Sequence, residues 1–214
     1  MVQLDLRIKN RRLLYVCTNQ RIQFYRQQKK ERNKVMNIFI SGGCKNGKSM
    51  YAQTLAKNMA KQNDSPLYYV ATMLPCDDED IKRIERHLRE REGWGFETVE
   101  QGININECFE PSRGLDAKGA FLLDSVTALL SNEMFRPGGV FDADAAERVA
   151  DELIQFARTT GNTVFVSDYI YGDAGKYDEW TEKYREGLAY IDRKLAKECD
   201  RVIEVLGGNT IDYK

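Results

Sequence analysis

The sequence predicts an α/β fold, a mostly parallel sheet with helices on both faces. Three observations predict it. Apolar or β-branched runs of five or six residues alternate with stretches of helical periodicity, the mark of strand–helix–strand units. A glycine-rich loop, Gly42-Gly43-Cys44-Lys45-Asn46-Gly47-Lys48-Ser49, joins the first such run to the first helical stretch. With 214 residues, 42% of them hydrophobic and 30% charged, the chain has the length and composition of one soluble domain with a full core.

Taken in order, the predicted strands are 37–41, 67–71, 96–100, 119–124, 163–168 and 201–206, and the predicted helices 48–61, 77–92, 125–135, 143–160 and 177–199. Asn37-Ile38-Phe39-Ile40-Ser41 is an apolar run ahead of the loop, and Leu67-Tyr68-Tyr69-Val70-Ala71 a second. The stretch from Asp77 opens with Asp77-Asp78-Glu79-Asp80 and carries arginines in its later half, matching the sign of a helix dipole. Val149, Leu153, Phe156 and Ala157 share a helical face, with Gly161 placed to end that helix. Trp180, Tyr184, Leu188, Ile191, Leu195 and Cys199 recur every three or four residues, a core stripe on the last helix. The Gly/Pro/Ser-containing segments 111–119 and 136–142 read as surface loops, and no internal repeat is present.

The loop spells G-x-x-x-x-G-K-S between a strand and a helix, the context a phosphate-binding loop requires. The fold expected is therefore of the P-loop NTPase type, RecA-like in layout. Gly42 and Gly47 let the backbone curl its N–H groups toward phosphate oxygens, and the helix N-terminus adds partial positive charge. Lys48 is placed to reach the β- and γ-phosphates, and the Ser49 hydroxyl is the expected Mg²⁺ ligand. A second acid is needed for the metal. Ala120-Phe121-Leu122-Leu123-Asp124 and Val164-Phe165-Val166-Ser167-Asp168 both end an apolar run in aspartate. Asp124 is preferred, with helix capping as a second duty it could combine with the metal.

Charge and cysteines narrow the class. Residues 1–35 hold ten Lys/Arg and two Asp/Glu, a net of +8, against a net of −9 for the remainder. Such a basic arm is either a nucleic-acid or targeting tail, or a leader translated from an upstream start. The second is preferred because Met36 directly precedes the first strand. The domain is accordingly 36–214, no nucleic-acid partner is expected, and a chain begun at Met36 should still fold and bind nucleotide. No apolar stretch approaches the ~18 residues of a membrane span. Five scattered cysteines without a C-x-x-C pair point to a reducing cytoplasm and away from a disulfide or zinc scaffold.

His87 is the only histidine. Arg83, His87 and Arg91 stand four apart, which puts them on one face of the 77–92 helix. Two guanidiniums flanking an imidazole form a phosphate-gripping surface and favour a neutral ring nitrogen that can attack phosphorus. The alternative is a solvated basic helix carrying an incidental histidine.

In combination these motifs resemble the bifunctional adenosylcobinamide kinase / adenosylcobinamide-phosphate guanylyltransferase family of cobalamin biosynthesis. The resemblance runs from Gly42–Ser49 through Tyr69-Val70-Ala71-Thr72, Arg83-Ile84-Glu85-Arg86-His87, Thr98-Val99-Glu100 and Leu122-Leu123-Asp124 to Leu195-Ala196 and Cys199-Asp200-Arg201-Val202. It spans about 36–214. It implies that His87 accepts GMP from GTP as a phosphoramidate and passes it to the cobinamide phosphate. It also implies nucleotide contacts from Gly42, Gly43, Cys44, Lys45, Asn46, Gly47, Lys48, Ser49, Ala71, Thr72, Met73, Leu88, Arg89, Glu90, Arg91, Glu100 and Asp124. Lys48 and His87 would be catalytic, Ser49 and Asp124 metal-binding, and GTP, ATP and adenosylcobinamide the substrates. The resemblance further implies a homotrimer. Departures cluster after 163–168, where Ser167-Asp168-Tyr169-Ile170-Tyr171, Ala189 and Asp192 replace the family's usual residues. The alternatives are a P-loop kinase without GMP transfer and a nucleotide-dependent switch. Against the switch, no N-K-x-D signature occurs, and the D-x-x-G match at Asp116–Gly119 precedes its strand.

Overall fold

The computed structural model describes residues 35–136 and 140–214, so the basic leader, apart from Val35, lies outside the described residues. In chain order the elements are β1 (Ile38–Gly42), α1 (Lys48–Asn63), β2 (Leu67–Ala71), α2 (Asp78–Glu90), β3 (Glu97–Glu100), two short 3₁₀ turns (Ile105–Phe109 and Pro111–Arg113), β4 (Ala120–Asp124), α3 (Val126–Met134), β5 (Phe135–Arg136), β6 (Val140–Phe141), α4 (Ala145–Thr160), β7 (Thr163–Asp168), α5 (Glu179–Glu198), β8 (Arg201–Leu206) and β9 (Asn209–Asp212). Seven strands form one sheet in the order β3-β2-β4-β7-β1-β8-β9, parallel except for the β8–β9 hairpin. The expected α/β layout is what forms, with element ends shifted by no more than two residues.

Both faces of the sheet are covered because alternate side chains of each central strand are apolar in both directions. Ile38, Ile40, Tyr69, Leu122, Val164 and Val166 face α1, which meets them through Ala52, Ala56 and Met59. Phe39, Val70, Phe121, Leu123 and Phe165 face the opposite layer, where Leu129, Leu153, Phe156, Leu188, Ile191 and Leu195 of α3, α4 and α5 close the core. The small residues of α1 allow the phosphate-loop helix to lie close on the sheet. α2 differs. It has no buried residue, and Asp77 caps it by accepting from the N–H groups of Glu79 and Asp80. That leaves α2 as a wall on the molecule's surface instead of a core element.

Three expectations need correction. The segment 136–142 is not wholly loop, since β5 and β6 pair through Phe135–Phe141 and Arg136–Val140. Pro111–Arg113 likewise forms a 3₁₀ turn inside the expected 111–119 loop. The β9 strand was not expected at all. Gly207 and Gly208 have φ of 56° and 78°, the pair of positive dihedrals that turns a two-residue hairpin. The described cysteines are free thiols, Cys44 and Cys76 exposed and Cys108 and Cys199 buried.

A buried ionic knot ties β5 to the core. Glu133 is fully buried, accepts from the Asn104 N–H at 2.6 Å, and pairs with Arg136 and with Arg148 Nη2, the latter at 3.2 Å. Burial works to raise its pKa, but the Asn104 N–H and the two guanidiniums outweigh it and hold the carboxyl below its ordinary value. Its contribution is therefore present above the ordinary carboxylate range and is lost as pH falls through the lowered folded value. Glu133→Ala leaves two arginines facing a vacancy and should cost roughly 3–5 kcal/mol. Urea unfolding near pH 7 measures this, and the gap to the parent should narrow at pH 3.

Candidate active site

The parallel register brings four strand ends together. Gly42 lies beside Asp168, and Ala71 beside Asp124, so β1, β7, β4 and β2 deliver the phosphate loop, two aspartates and the Ala71–Met73 segment to one edge of the sheet. Gly42 must be glycine, because a Cβ there would stand 2.4 Å from the Val205 carbonyl oxygen. Gly47, at φ 87°, is the N-cap of α1 and offers no side-chain cap, which leaves the first helical N–H groups for an anion.

Lys48 is buried. Its Nζ donates to the Gly43 carbonyl at 2.6 Å and pairs with Asp168 Oδ1 at 2.7 Å. Asp168 thus balances the lysine, and its own N–H is held by Thr127 Oγ1 at 2.9 Å. Asp124 has a different partner: its Oδ2 accepts from the Tyr69 hydroxyl at 2.9 Å, while no hydrogen bond holds Oδ1 among the described residues. Burial, reinforced by the Asp124 carboxylate, keeps the Tyr69 hydroxyl well above the ordinary tyrosine range, so it stays a donor. The expected second duty of Asp124 does not hold. Ser125 caps α3 by accepting from the Ala128 N–H at 3.1 Å, which leaves the aspartate free of helix capping.

Two cavities meet here. One, of about 530 Å³, is lined by Cys44, Lys45, Asn46, Gly47, Lys48 and Ser49 together with Glu90, Asp124 and Asp168. The other, of about 810 Å³, is more apolar and runs between α2 and the sheet edge. Met73, Leu74, Ile81, Ile84, Leu88, Ile170 and Tyr184 line it, as do Ala71, Arg91 and Glu100. His87, Arg83, Cys44, Asp124, Ser125 and Asp168 line both.

The histidine's setting departs from the sequence picture. α2 ends at Glu90, and Arg91 leaves the helix as its C-cap. Its guanidinium is buried, lies 3.8 Å from the Tyr69 ring centroid and donates to Thr98 Oγ1 at 3.4 Å. Arg83, His87 and Arg91 still line one cavity, but Arg91 reaches it from the turn, not from a shared helical face. The imidazole also has an anionic neighbour. Its buried Nδ1 is 3.2 Å from Glu90 Oε2 without the alignment of a hydrogen bond. A small rotation would make Nδ1–H···Oε2 and leave Nε2 with its lone pair.

Most expected nucleotide residues therefore line this double cleft. Gly42, Gly43, Thr72 and Arg89 are not among its lining residues. Thr72 is fully buried and acts as a strut, its hydroxyl donating to the Ser125 carbonyl and accepting from the Ser125 N–H. Arg89 is exposed on the far side of α2. Sequence reasoning missed the Lys48–Asp168 pair and the Tyr69–Asp124 bond. Their only sequence signals are aspartates ending apolar runs and an aromatic inside one.

Mg²⁺ is implied by a phosphate loop, and the donors suit it. Ser49 and Asp124 both line the phosphate-loop cavity and carry oxygen donors that could face such an ion. Among the described residues no cluster of three metal-type side chains occurs.

The family model described as cobinamide kinase / cobinamide phosphate guanyltransferase matches residues 38–213. Bifunctional adenosylcobalamin biosynthesis protein CobU of Escherichia coli is 27% identical over 190 residues, which covers 84% of this chain and all of that protein. Its counterpart in Salmonella typhimurium is 26% identical over the same shares. Among solved structures, a KaiC-like protein from Pyrococcus horikoshii aligns at 15% identity and TM-score 0.46, over 85% of this chain and 79% of that one. The flagellar accessory protein FlaH from Methanocaldococcus jannaschii aligns at 17% and 0.44, over 84% and 76%.

Proposed function

The chain belongs to the cobinamide kinase / cobinamide phosphate guanyltransferase family and is a kinase and guanylyltransferase of adenosylcobalamin biosynthesis, and we propose that both reactions run in the double cleft. The observation that carries this reading is the position of His87 on the wall common to the phosphate-loop cavity and the larger apolar one. A triphosphate held by Gly42–Ser49 would bring its phosphorus atoms toward the histidine, and the apolar cavity would take the cobinamide side.

In the kinase step, the hydroxyl of the aminopropanol arm attacks the γ-phosphorus of ATP or GTP. The bond to the β-phosphate oxygen breaks, the nucleoside diphosphate leaves, and the hydroxyl proton is lost to solvent water. Lys48 and the uncapped α1 N-terminus neutralise the charge that builds on the phosphoryl oxygens. Ser49 and Asp124 would hold Mg²⁺, which supplies further charge neutralisation when bound. In the transferase step, His87 Nε2 attacks the α-phosphorus of GTP and pyrophosphate leaves, forming a phosphoramidate. A phosphate oxygen of cobinamide phosphate then attacks that phosphorus, the P–N bond breaks, and the imidazole is regenerated. Glu90 assists by accepting the Nδ1–H, which fixes the tautomer and stabilises positive charge on the ring during attack.

Incubation with α-labelled GTP should leave acid-labile, alkali-stable label on His87. Phosphoryl transfer to the alcohol without any such label would reduce the protein to a kinase. Glu90→Gln should slow label formation by roughly 10-fold or more while leaving phosphoryl transfer unchanged, a difference single-turnover labelling reads directly.

A further inference from the structure

Behind the phosphate loop lies a carboxyl that neither reaction uses. Asp192 on α5 is buried, and its Oδ2 accepts from the Ser167 hydroxyl at 3.1 Å and the Tyr171 hydroxyl at 2.8 Å. Its Oδ1 is buried with no partner. No lysine or arginine pairs with it among the described residues. Ser167 is paired in register with Ser41, and the next residues along the two strands are Asp168 and Gly42, the Lys48 partner and the first loop glycine.

We propose that Asp192 is a positioning residue that works as a neutral acid, supporting the end of β7 behind the phosphate loop, and that its ionisation weakens triphosphate binding. The proposal rests on reading Gly42–Ser49 as the triphosphate site. As a neutral acid, Asp192 leaves Asp168 as the single negative charge opposite Lys48. As a carboxylate, it places a second one behind the same loop, in a medium where charge is poorly screened, so the site becomes less attractive to phosphate. None of the groups that face it among the described residues is a cation. Ser167 and Tyr171 donate to it, Asp168 is the nearby like charge from β7, and Tyr184 stands earlier on α5. Ser41 from β1 and Arg193 bear on Tyr171.

Burial pushes the Asp192 carboxyl up to about 7, against the pull of its two hydroxyl donors and with help from Asp168.

The test compares the parent with Asp192→Asn, which keeps the shape and cannot ionise. Nucleotide KM and kcat for phosphoryl transfer are measured from pH 5.5 to 8.5. A group titrating near 7 is about one-tenth protonated at pH 8, so the parent's nucleotide KM should rise roughly tenfold relative to the variant between pH 6 and pH 8, with the kcat ratio flat. Titration of the nucleotide's own phosphate is common to both proteins and cancels. Parallel KM profiles overturn the proposal. Should Asp192→Asn fail to fold, Tyr171→Phe removes one donor to the carboxylate and must move the KM rise to higher pH; an unmoved profile also overturns it. A parent that binds no triphosphate at any pH is a different result, one that removes the phosphate-loop reading as well.

Discussion

His87→Ala is expected to abolish guanylylation, by roughly 10⁴-fold or more, while phosphoryl transfer from ATP stays within about threefold of the parent. The asymmetry follows from where the imidazole stands. His87 lines the cavity that holds Lys48 and Ser49, but it makes no hydrogen bond with either. The kinase step needs the loop, the lysine and the two aspartates, none of which the imidazole supports. The transferase step needs a nucleophile, and His87 is the chain's only histidine. α2 contributes no buried residue and His87 belongs to neither hydrophobic core, so its truncation leaves the core of the fold intact. Parallel assays with γ- and α-labelled GTP separate the outcomes. Equal loss of both activities would mean that the histidine holds nucleotide instead of forming a bond to it. Label surviving in the alanine variant would place the acceptor elsewhere.

The distribution of what could be read in advance follows from how each feature is encoded. β2, β4 and β7 are legible because strands buried on both faces are nearly continuous apolar runs. The β9 strand has every residue exposed, so no apolar pattern marks it, and only the Gly207-Gly208 turn betrays it. β5 and β6 are two residues each, too short for any periodicity. Candidate site residues on contiguous motifs come together at the cleft: Cys44–Ser49 line one cavity, and Met73, Leu88 and Glu100 the other. Contacts between distant segments were not. Lys48 and Asp168 are 120 residues apart, and their pairing depends on β7 lying between β1 and β4. Strand order is a tertiary choice that alternation of strands and helices leaves open. Arg91 illustrates the same limit at short range. Helical spacing put it beside His87, but Gly93 and Gly95, at φ 74° and 86°, open a turn that lets it fold back onto Tyr69.

Lys48→Met should lower kcat for phosphoryl transfer by roughly 10²–10³-fold and raise the nucleotide KM, as expected for loss of one preorganised charge at the transferring group. Two effects are mixed in that loss. The lysine's charge disappears from the phosphates, and Asp168 is left as an unpaired carboxylate facing them. The second effect can be removed separately. In Lys48→Met/Asp168→Asn the stranded charge is gone, so nucleotide KM should recover by about tenfold over the single variant while kcat stays low. Alone, Asp168→Asn should tighten ground-state binding of triphosphate but lower kcat, because Lys48 loses the partner that aims it. The cycle of four proteins therefore yields a coupling energy of about 1–3 kcal/mol in KM, the range for residues in direct contact. Additive effects would mean that the 2.7 Å pair gives way once a triphosphate enters, with Lys48 swinging fully onto the phosphates and Asp168 turning to solvent or to the metal.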